Sequence, residues 1–289
     1  MTKIRIVSPA KSIEKKHIDF AVDFLQNNNF EVELSTNCLG ESHYFSGTDT
    51  ERLIDFQNAL DDTTVDVILC ARGGYGCIRI IDSLDFTKFK ANPKLIVGFS
   101  DVTVFHNHIH SNFELPTVHG TMPLNFETNS KESLQSLVDV MNGHKIKYTI
   151  ESNLNNKIGH VKAEIVGGNL AIIYGLIGTN SDIDLTNKIL FIEDVGEYIY
   201  AIDRMMWALQ KSGKLNKLAG LIVGGMSIIN DTDVPFGKTV EGVILERIEK
   251  LSIPVCFDFP AGHISDNRAI IFGREATLVV RENEVVFEQ

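Results

Sequence analysis

Apolar residues in the first hundred positions alternate between two spacings. KIRIVS (3–8), EVELS (31–35), VDVILC (65–70) and LIVGF (95–99) are short apolar or alternating runs with strand character. Between them, KKHIDFAVDFLQNN (15–28) sets Ile18, Ala21, Val22 and Leu25 at helical spacing, and DTERLIDFQNALDD (49–62) puts Leu53, Phe56 and Leu60 on one side. Strands alternating with helices predict an α/β fold with a parallel sheet covered on both faces. The pattern changes after residue 124. Residues 125–160 are polar, with one helical stretch near 131–141, and read as a link between an N-terminal domain (1–124) and a C-terminal domain (161–289). The C-terminal part predicts strands at NKILFIED (187–194) and LAGLIVGGM (218–226), with helices over 197–213 and 238–251. RAIIFG, ATLVVR and EVVFEQ then follow one another across turn residues, which predicts antiparallel pairing at the end of the chain.

Composition narrows the partners. The 289 residues are 44% hydrophobic and 22% charged, which supplies a sizeable core, and no run approaches the roughly 20 apolar residues of a membrane span. A net charge of -11 would repel phosphates, so nucleic acid is not an expected partner. The opening MTKIRIVSPAK lacks the apolar stretch of a secretory signal. Cys38, Cys70, Cys77 and Cys256 form no CxxC pair and read as free thiols of a reducing cytoplasm.

Candidate chemistry collects where apolar runs end. In VGFSDVTVF (97–105) a strand stops at Ser100 and a helical string starts at Asp101. A hydroxyl there lies near unpaired helix N–H groups that can stabilise an oxyanion. Val102 stands where the GxSxG elbow has its second glycine, and serine is also a favoured helix cap, so both roles stay open. RGGYG (72–76) follows strand VDVILC, and its glycines can present N–H groups to an anion or simply form a tight turn. It is neither GxGxxG nor a P-loop, and the first strand ends in SPAKS, which argues against a dinucleotide cofactor. A serine nucleophile needs a base and an orienting acid. Among nine histidines, His263 in PAGHISDN sits in a loop after a strand, and His119 in LPTVHGTMP follows an apolar segment. His106 and His110 would share a helix face at a spacing that can hold zinc, without an accompanying HExxH. Glu193 and Asp194 end the strand in FIEDVGE, where a histidine partner would offset the cost of burial and where a helix start would also suit them. Ser100, Glu193 and His263 together read as a triad drawn from both domains.

These motifs carry a resemblance. RGGYG with Arg79 and Asp82 downstream, GFSDVT, HGTMP, GGNL (167–170), LFIEDVGE, IDRMMWAL and AGH together resemble the serine LD-carboxypeptidase family, which includes muramoyl-tetrapeptide carboxypeptidases and microcin-immunity peptidases. They occur in order from about residue 72 to 273. The resemblance implies an N-terminal domain similar to class I glutamine amidotransferases and a C-terminal β-rich α/β domain. It implies a cytoplasmic, homodimeric peptidase, with no cofactor or metal, that releases terminal D-alanine from murein tetrapeptide during wall recycling. Its nucleophile falls on Ser100, its acid on Glu193 and its base on His263. The Asp101 and Gly74 N–H groups would form the oxyanion hole, and Arg72, Gly73 and His119 would line the substrate site. Thr121 and Ile264 depart from the family's habit after His119-Gly120 and Gly262-His263, which leaves the pocket wall open. Glu197 lies near the acid position but opens a helix, so Glu193 is preferred. The microcin-immunity branch, cleaving an aminoacyl-nucleotide conjugate, is the alternative substrate class. Trp207, in an amphipathic helix, is expected in the core rather than against a nucleotide. A ligand-binding scaffold without turnover is the non-enzyme alternative.

Overall fold

Two mixed sheets absorb the apolar runs. The computed structural model describes residues 1–289. Its first half runs β1 (Lys3–Val7), α1 (Lys15–Asn27), β2 (Glu31–Leu34), α2 (Asp49–Asp61), β3 (Val67–Cys70), α3 (Thr87–Ala91), β4 (Leu95–Gly98), α4 (Thr103–Phe113) and β5 (Thr117–His119). There follow α5 (Lys131–Met141), β6 (Lys147–Glu151), β7 (Gly159–Asn169), α6 (Leu170–Leu176), β8 (Ile189–Val195), α7 (Ile199–Lys211), β9 (Gly220–Ser227) and α8 (Val240–Ile248). The chain closes with β10 (Val255–Cys256), β11 (Ile270–Phe272), β12 (Arg274–Val280) and β13 (Glu284–Glu288).

The first sheet has the order β11-β5-β4-β3-β1-β2. Strands β1 to β5 are parallel, as the βαβ pattern requires, and β11 joins the edge antiparallel to β5. The second sheet, β10-β9-β8-β7-β12-β13-β6, is parallel from β10 to β7 and antiparallel beyond. The terminal strands therefore pair antiparallel as expected, but they divide between the sheets. Phe272 ends a strand of the first and Arg274 starts a strand of the second, with only Gly273 between them.

Residues 125–160, read as a link, hold α5 and β6. The cluster that buries Leu69, Val97 and Val118 of the first sheet also buries Leu137 and Met141 of α5 and Phe191, Leu278 and Phe287 of the second. One continuous apolar interior thus spans both sheets. Helix α4 is buried from Thr103 to His110, wedged between β5 of the first sheet and β7 and α6 of the second half.

Trp207 corrects an expectation. Helix α7 buries Ala201, Ile202, Met205, Met206 and Leu209, which leaves Trp207 on its outer side, 39% exposed, with the Arg247 guanidinium 3.8 Å from its ring centroid. All four cysteines are buried and unpaired, and no helix is long and apolar enough to cross a membrane.

Candidate active site

Ser100 sits where β4 turns into α4, the position its sequence pattern marked. Its φ of 64° places a non-glycine residue in the left-handed region, a strained corner of the kind found at functional sites. The hydroxyl does not cap the helix. Neither the turn at Ser100–Val102 nor α4 has a side-chain cap bond, and Ser100 Oγ instead lies 3.1 Å from His263 Nε2. His263 Nδ1 lies 2.6 Å from Glu193 Oε2, and the same oxygen accepts the His263 backbone N–H at 3.2 Å. A carboxylate can only accept, so Nδ1 carries the proton toward Glu193 and Nε2 is left to accept from Ser100. Ser100, His263 and Glu193, 163 and 70 positions apart along the chain, form one hydrogen-bonded line.

Local irregularities aim each member. Between β8 and β9 the register slips beside Glu193, because Gly224 and Gly225 add a residue to β9. That bulge lets the segment before His263 run alongside: Phe259 N–H donates to Val223 O at 3.1 Å, and Gly225 N–H to Ala261 O at 2.8 Å. Gly262 has φ +109°, and a Cβ there would stand 2.8 Å from Glu193 Oε2, so only glycine allows the acid to approach the histidine loop. Its N–H donates to Asn267 Oδ1 at 2.7 Å, which closes the loop. The Phe99 ring packs on His263 at 4.8 Å between centroids.

Charge follows from the surroundings. Burial disfavours imidazolium at His263, but the hydrogen bond and charge of Glu193, with a smaller part from Asp194, outweigh it, and the pKa is raised above the usual histidine value. Glu193 is fully buried, and its Oε1 has no partner. Burial raises Asp194 to about 6; it accepts from Asn169 Nδ2 and from the Ala171 N–H at the start of α6. Of the acidic pair, Glu193 therefore faces the histidine, while Asp194 faces the start of the preceding helix α6 and does not open α7, which begins at Ile199.

The glycine loop meets the nucleophile. A Cβ on Gly73 would fall 2.8 Å from Ser100 Cβ and 3.3 Å from the Asp101 nitrogen, so the Gly73 backbone lies directly against the elbow. Gly74 follows with φ +112°, exposed, with Lys11 and Tyr44 as its neighbours. Two buried side chains fix this loop from outside. Asp101 Oδ2 accepts the Cys77 N–H at 2.8 Å, and Arg52 donates to the carbonyls of Pro9 and Gly76. Arg52 is also paired to Asp49, which Arg79 grips in turn, and Phe45 lies against both guanidinium groups. Nothing in the local pattern of α2 marks Arg52 for this role, since the carbonyls it binds lie in distant loops. Gly224-Gly225 did have a signal, a glycine pair inside a strand, which marks a bulge.

The other candidates lie apart from the open site. His119 is fully buried, within reach of Asn267 and packed among Phe99, Phe191 and Phe272, beneath the triad rather than at its surface. His106 and His110 do not converge: His106 Nε2 bonds Gly98 O at 2.8 Å, and His110 Nε2 bonds Glu164 Oε1 at 2.6 Å. Burial lowers His106 to about 4, which keeps it neutral inside the core.

Known proteins share both sequence and fold with this arrangement. Residues 4–120 match the LD-carboxypeptidase N-terminal domain and residues 162–278 the LD-carboxypeptidase C-terminal domain. The chain belongs to the LD-carboxypeptidase family. A probable murein peptide carboxypeptidase of Bacillus subtilis is 32% identical over 99% of this chain and 91% of its own. A muramoyltetrapeptide carboxypeptidase from Oxalobacter formigenes superposes with a TM-score of 0.90 at 27% identity, covering 99% of this chain and 98% of that one. A microcin self-immunity protein, solved with aspartyl sulfamoyl adenosine, reaches a TM-score of 0.89 at 21% identity over 100% of this chain and 96% of its own, and so shares the fold. This LD-carboxypeptidase is accordingly an enzyme of the hydrolase class, with an N-terminal parallel-sheet half and a β-rich second half.

Proposed function

We propose that this LD-carboxypeptidase hydrolyses the amide bond between the L-centre of a murein tetrapeptide and its terminal D-alanine. The observation that carries the reading is the line Ser100–His263–Glu193, with contacts of 3.1 and 2.6 Å. In this reading the half up to residue 124 supplies the nucleophile, and the half from residue 161 supplies base and acid. The names of the Bacillus and Oxalobacter relatives support the substrate class.

His263 Nε2 takes the Ser100 proton as Oγ attacks the penultimate carbonyl carbon. Glu193 holds the Nδ1–H and stabilises the imidazolium that forms. The carbonyl oxygen becomes an oxyanion held by the Asp101 and Gly74 N–H groups, assisted by the N-terminal end of α4. The C–N bond then breaks, and His263 returns its proton to the leaving amine of D-alanine. Water, deprotonated by His263, attacks the ester carbon, and Ser100 leaves with that proton. A cytoplasmic homodimer acting on recycled wall peptides fits this chemistry.

Mass spectrometry of a murein tetrapeptide incubated with the protein tests the substrate. Loss of a single alanine is the expected result. Cleavage of an aminoacyl-nucleotide conjugate in its place would assign the microcin-immunity activity, and inertness toward both would return the fold to a binding role.

Arg52 offers a test of the loop. Arg52→Met is expected to lower kcat roughly 100-fold, because a displacement of about 1 Å at the oxyanion donors is enough for that loss. Arg52→Lys, which keeps the charge but not the fork that reaches two carbonyls, should recover only part of it. Steady-state kinetics at a temperature where both variants remain folded would decide, and unchanged kcat in Arg52→Met would remove the loop from the catalytic account.

A further inference from the structure

Cutting only the last residue of a peptide requires recognition of a free carboxylate. A carboxylate leaving water needs a cation and donors that are not already spent. Most cations around the triad and glycine loop are spent: Arg52 and Arg79 are tied to Asp49, and Arg268 to Asp266. Lys11 and Arg72 differ, since neither has a carboxylate within ion-pair distance. Arg72 gives one Nη1 hydrogen bond to Ser12 O at 3.0 Å, while its Nε is buried with no partner. Burial holds its pKa below the usual arginine value, the sign of a cation short of a counter-ion. Lys11 is half-buried, with its Nζ 4.9 Å from the Tyr44 ring centroid.

Both residues flank the loop that touches the nucleophile. Arg72 precedes Gly73, which abuts Ser100, and the stem of Lys11 lies on Gly74, where a Cβ would come within 2.9 Å of it. Together they line a cavity of about 390 Å³ bounded by Leu124 and the start of α1. Of the acidic residues lining it, Glu14 is held by Lys16 at 2.9 Å and Glu41 is exposed. His17, also in the wall, is engaged by Glu127 at 3.0 Å. On a chain with net charge -11, two cations without a carboxylate partner therefore stand on the loop that abuts Ser100, where they favour an anion in an otherwise repelling field.

We propose that Lys11 and Arg72 clamp the carboxylate of the departing D-residue and so set the exo-specificity of cleavage. This rests on the reading that Ser100 attacks the penultimate carbonyl. The clamp fixes the terminal residue by its charge, and a peptide extended by one residue or capped as an amide presents nothing to it.

The test compares a murein tetrapeptide bearing a free C-terminal D-alanine with the same peptide as its C-terminal amide. Wild-type protein is expected to prefer the acid. Lys11→Met and Arg72→Met should each raise KM for the acid about 10- to 100-fold, the strength of one charge-assisted hydrogen bond, with a much smaller change in kcat. The preference for the acid over the amide should shrink by the same factor in each variant. Lys11→Arg should keep most of the preference. Labelling of Ser100 by a fluorophosphonate in each variant reports that fold and triad persist. If the wild type discriminates and the variants discriminate just as strongly, or if the wild type does not discriminate at all, the clamp alone is overturned. If the wild type cleaves neither peptide, the substrate reading fails and the clamp falls with it.

Discussion

Ser100→Ala is expected to reduce turnover of tetrapeptide by about 10,000- to 1,000,000-fold, the loss seen when a serine peptidase is stripped of its nucleophile. Nothing else in the site can replace the hydroxyl. Thr103, the next hydroxyl on that turn, is fully buried and accepts the Asn169 N–H through its Oγ1. The fold should survive, because the Ser100 hydroxyl makes one bond, to His263, and caps no helix. Backbone strain gives the experiment a second arm. With φ at 64°, position 100 suits glycine better than any residue with a Cβ. Ser100→Gly should therefore be more stable than Ser100→Ala by about 1 kcal/mol, while equally inactive. A rise in Tm accompanied by loss of activity would show that strain at the elbow is kept for function. Near-wild-type turnover by Ser100→Ala would remove Ser100 from the mechanism.

How much of this could be read beforehand differs from element to element. The strand-to-helix corner at Ser100 was legible because an apolar run ending in Gly-x-Ser is a local signal. Its left-handed backbone was not, since serine gives no hint of positive φ. Glu193 and His263 were legible as groups at strand ends, but their meeting depends on the Gly224-Gly225 bulge and on Gly262, which act only once β8, β9 and the histidine loop are assembled. Strand β7 escaped notice for a different reason. Its first half alternates His160, Lys162 and Glu164 with smaller apolar residues at a partly exposed rim, and its end, Gly167-Gly168, looks like a turn. The transfer of the chain from first sheet to second at Gly273 is a tertiary event with no local pattern. The role of Arg52 has no local pattern, because the carbonyls it binds belong to loops 43 and 24 residues away.

Glu193→Gln probes the protonation of the base, and its expected effect is nearly as large as loss of the nucleophile. Acylation requires neutral His263, so kcat/KM should rise with pH along a limb centred on that group. In the native protein the limb should lie above the ordinary histidine value, because the contributions from Glu193 exceed the opposing effect of burial. Removing the charge of Glu193 leaves burial dominant, so the limb should move to lower pH. The plateau should nevertheless fall by about 10,000-fold, the scale seen when a triad carboxylate is replaced by its amide. An amide at this place either puts its NH₂ where the buried, unpartnered Oε1 now stands, or turns it toward Nδ1 and sends the imidazole proton to Nε2, facing Ser100. Both arrangements damage the base, one by an unsatisfied donor and the other by the wrong tautomer. A pH series on wild type and variant measures both quantities at once. A plateau that falls without a shift of the limb would mean that Glu193 orients His263 without setting its charge; a limb that moves upward would contradict the electrostatic account of the pair.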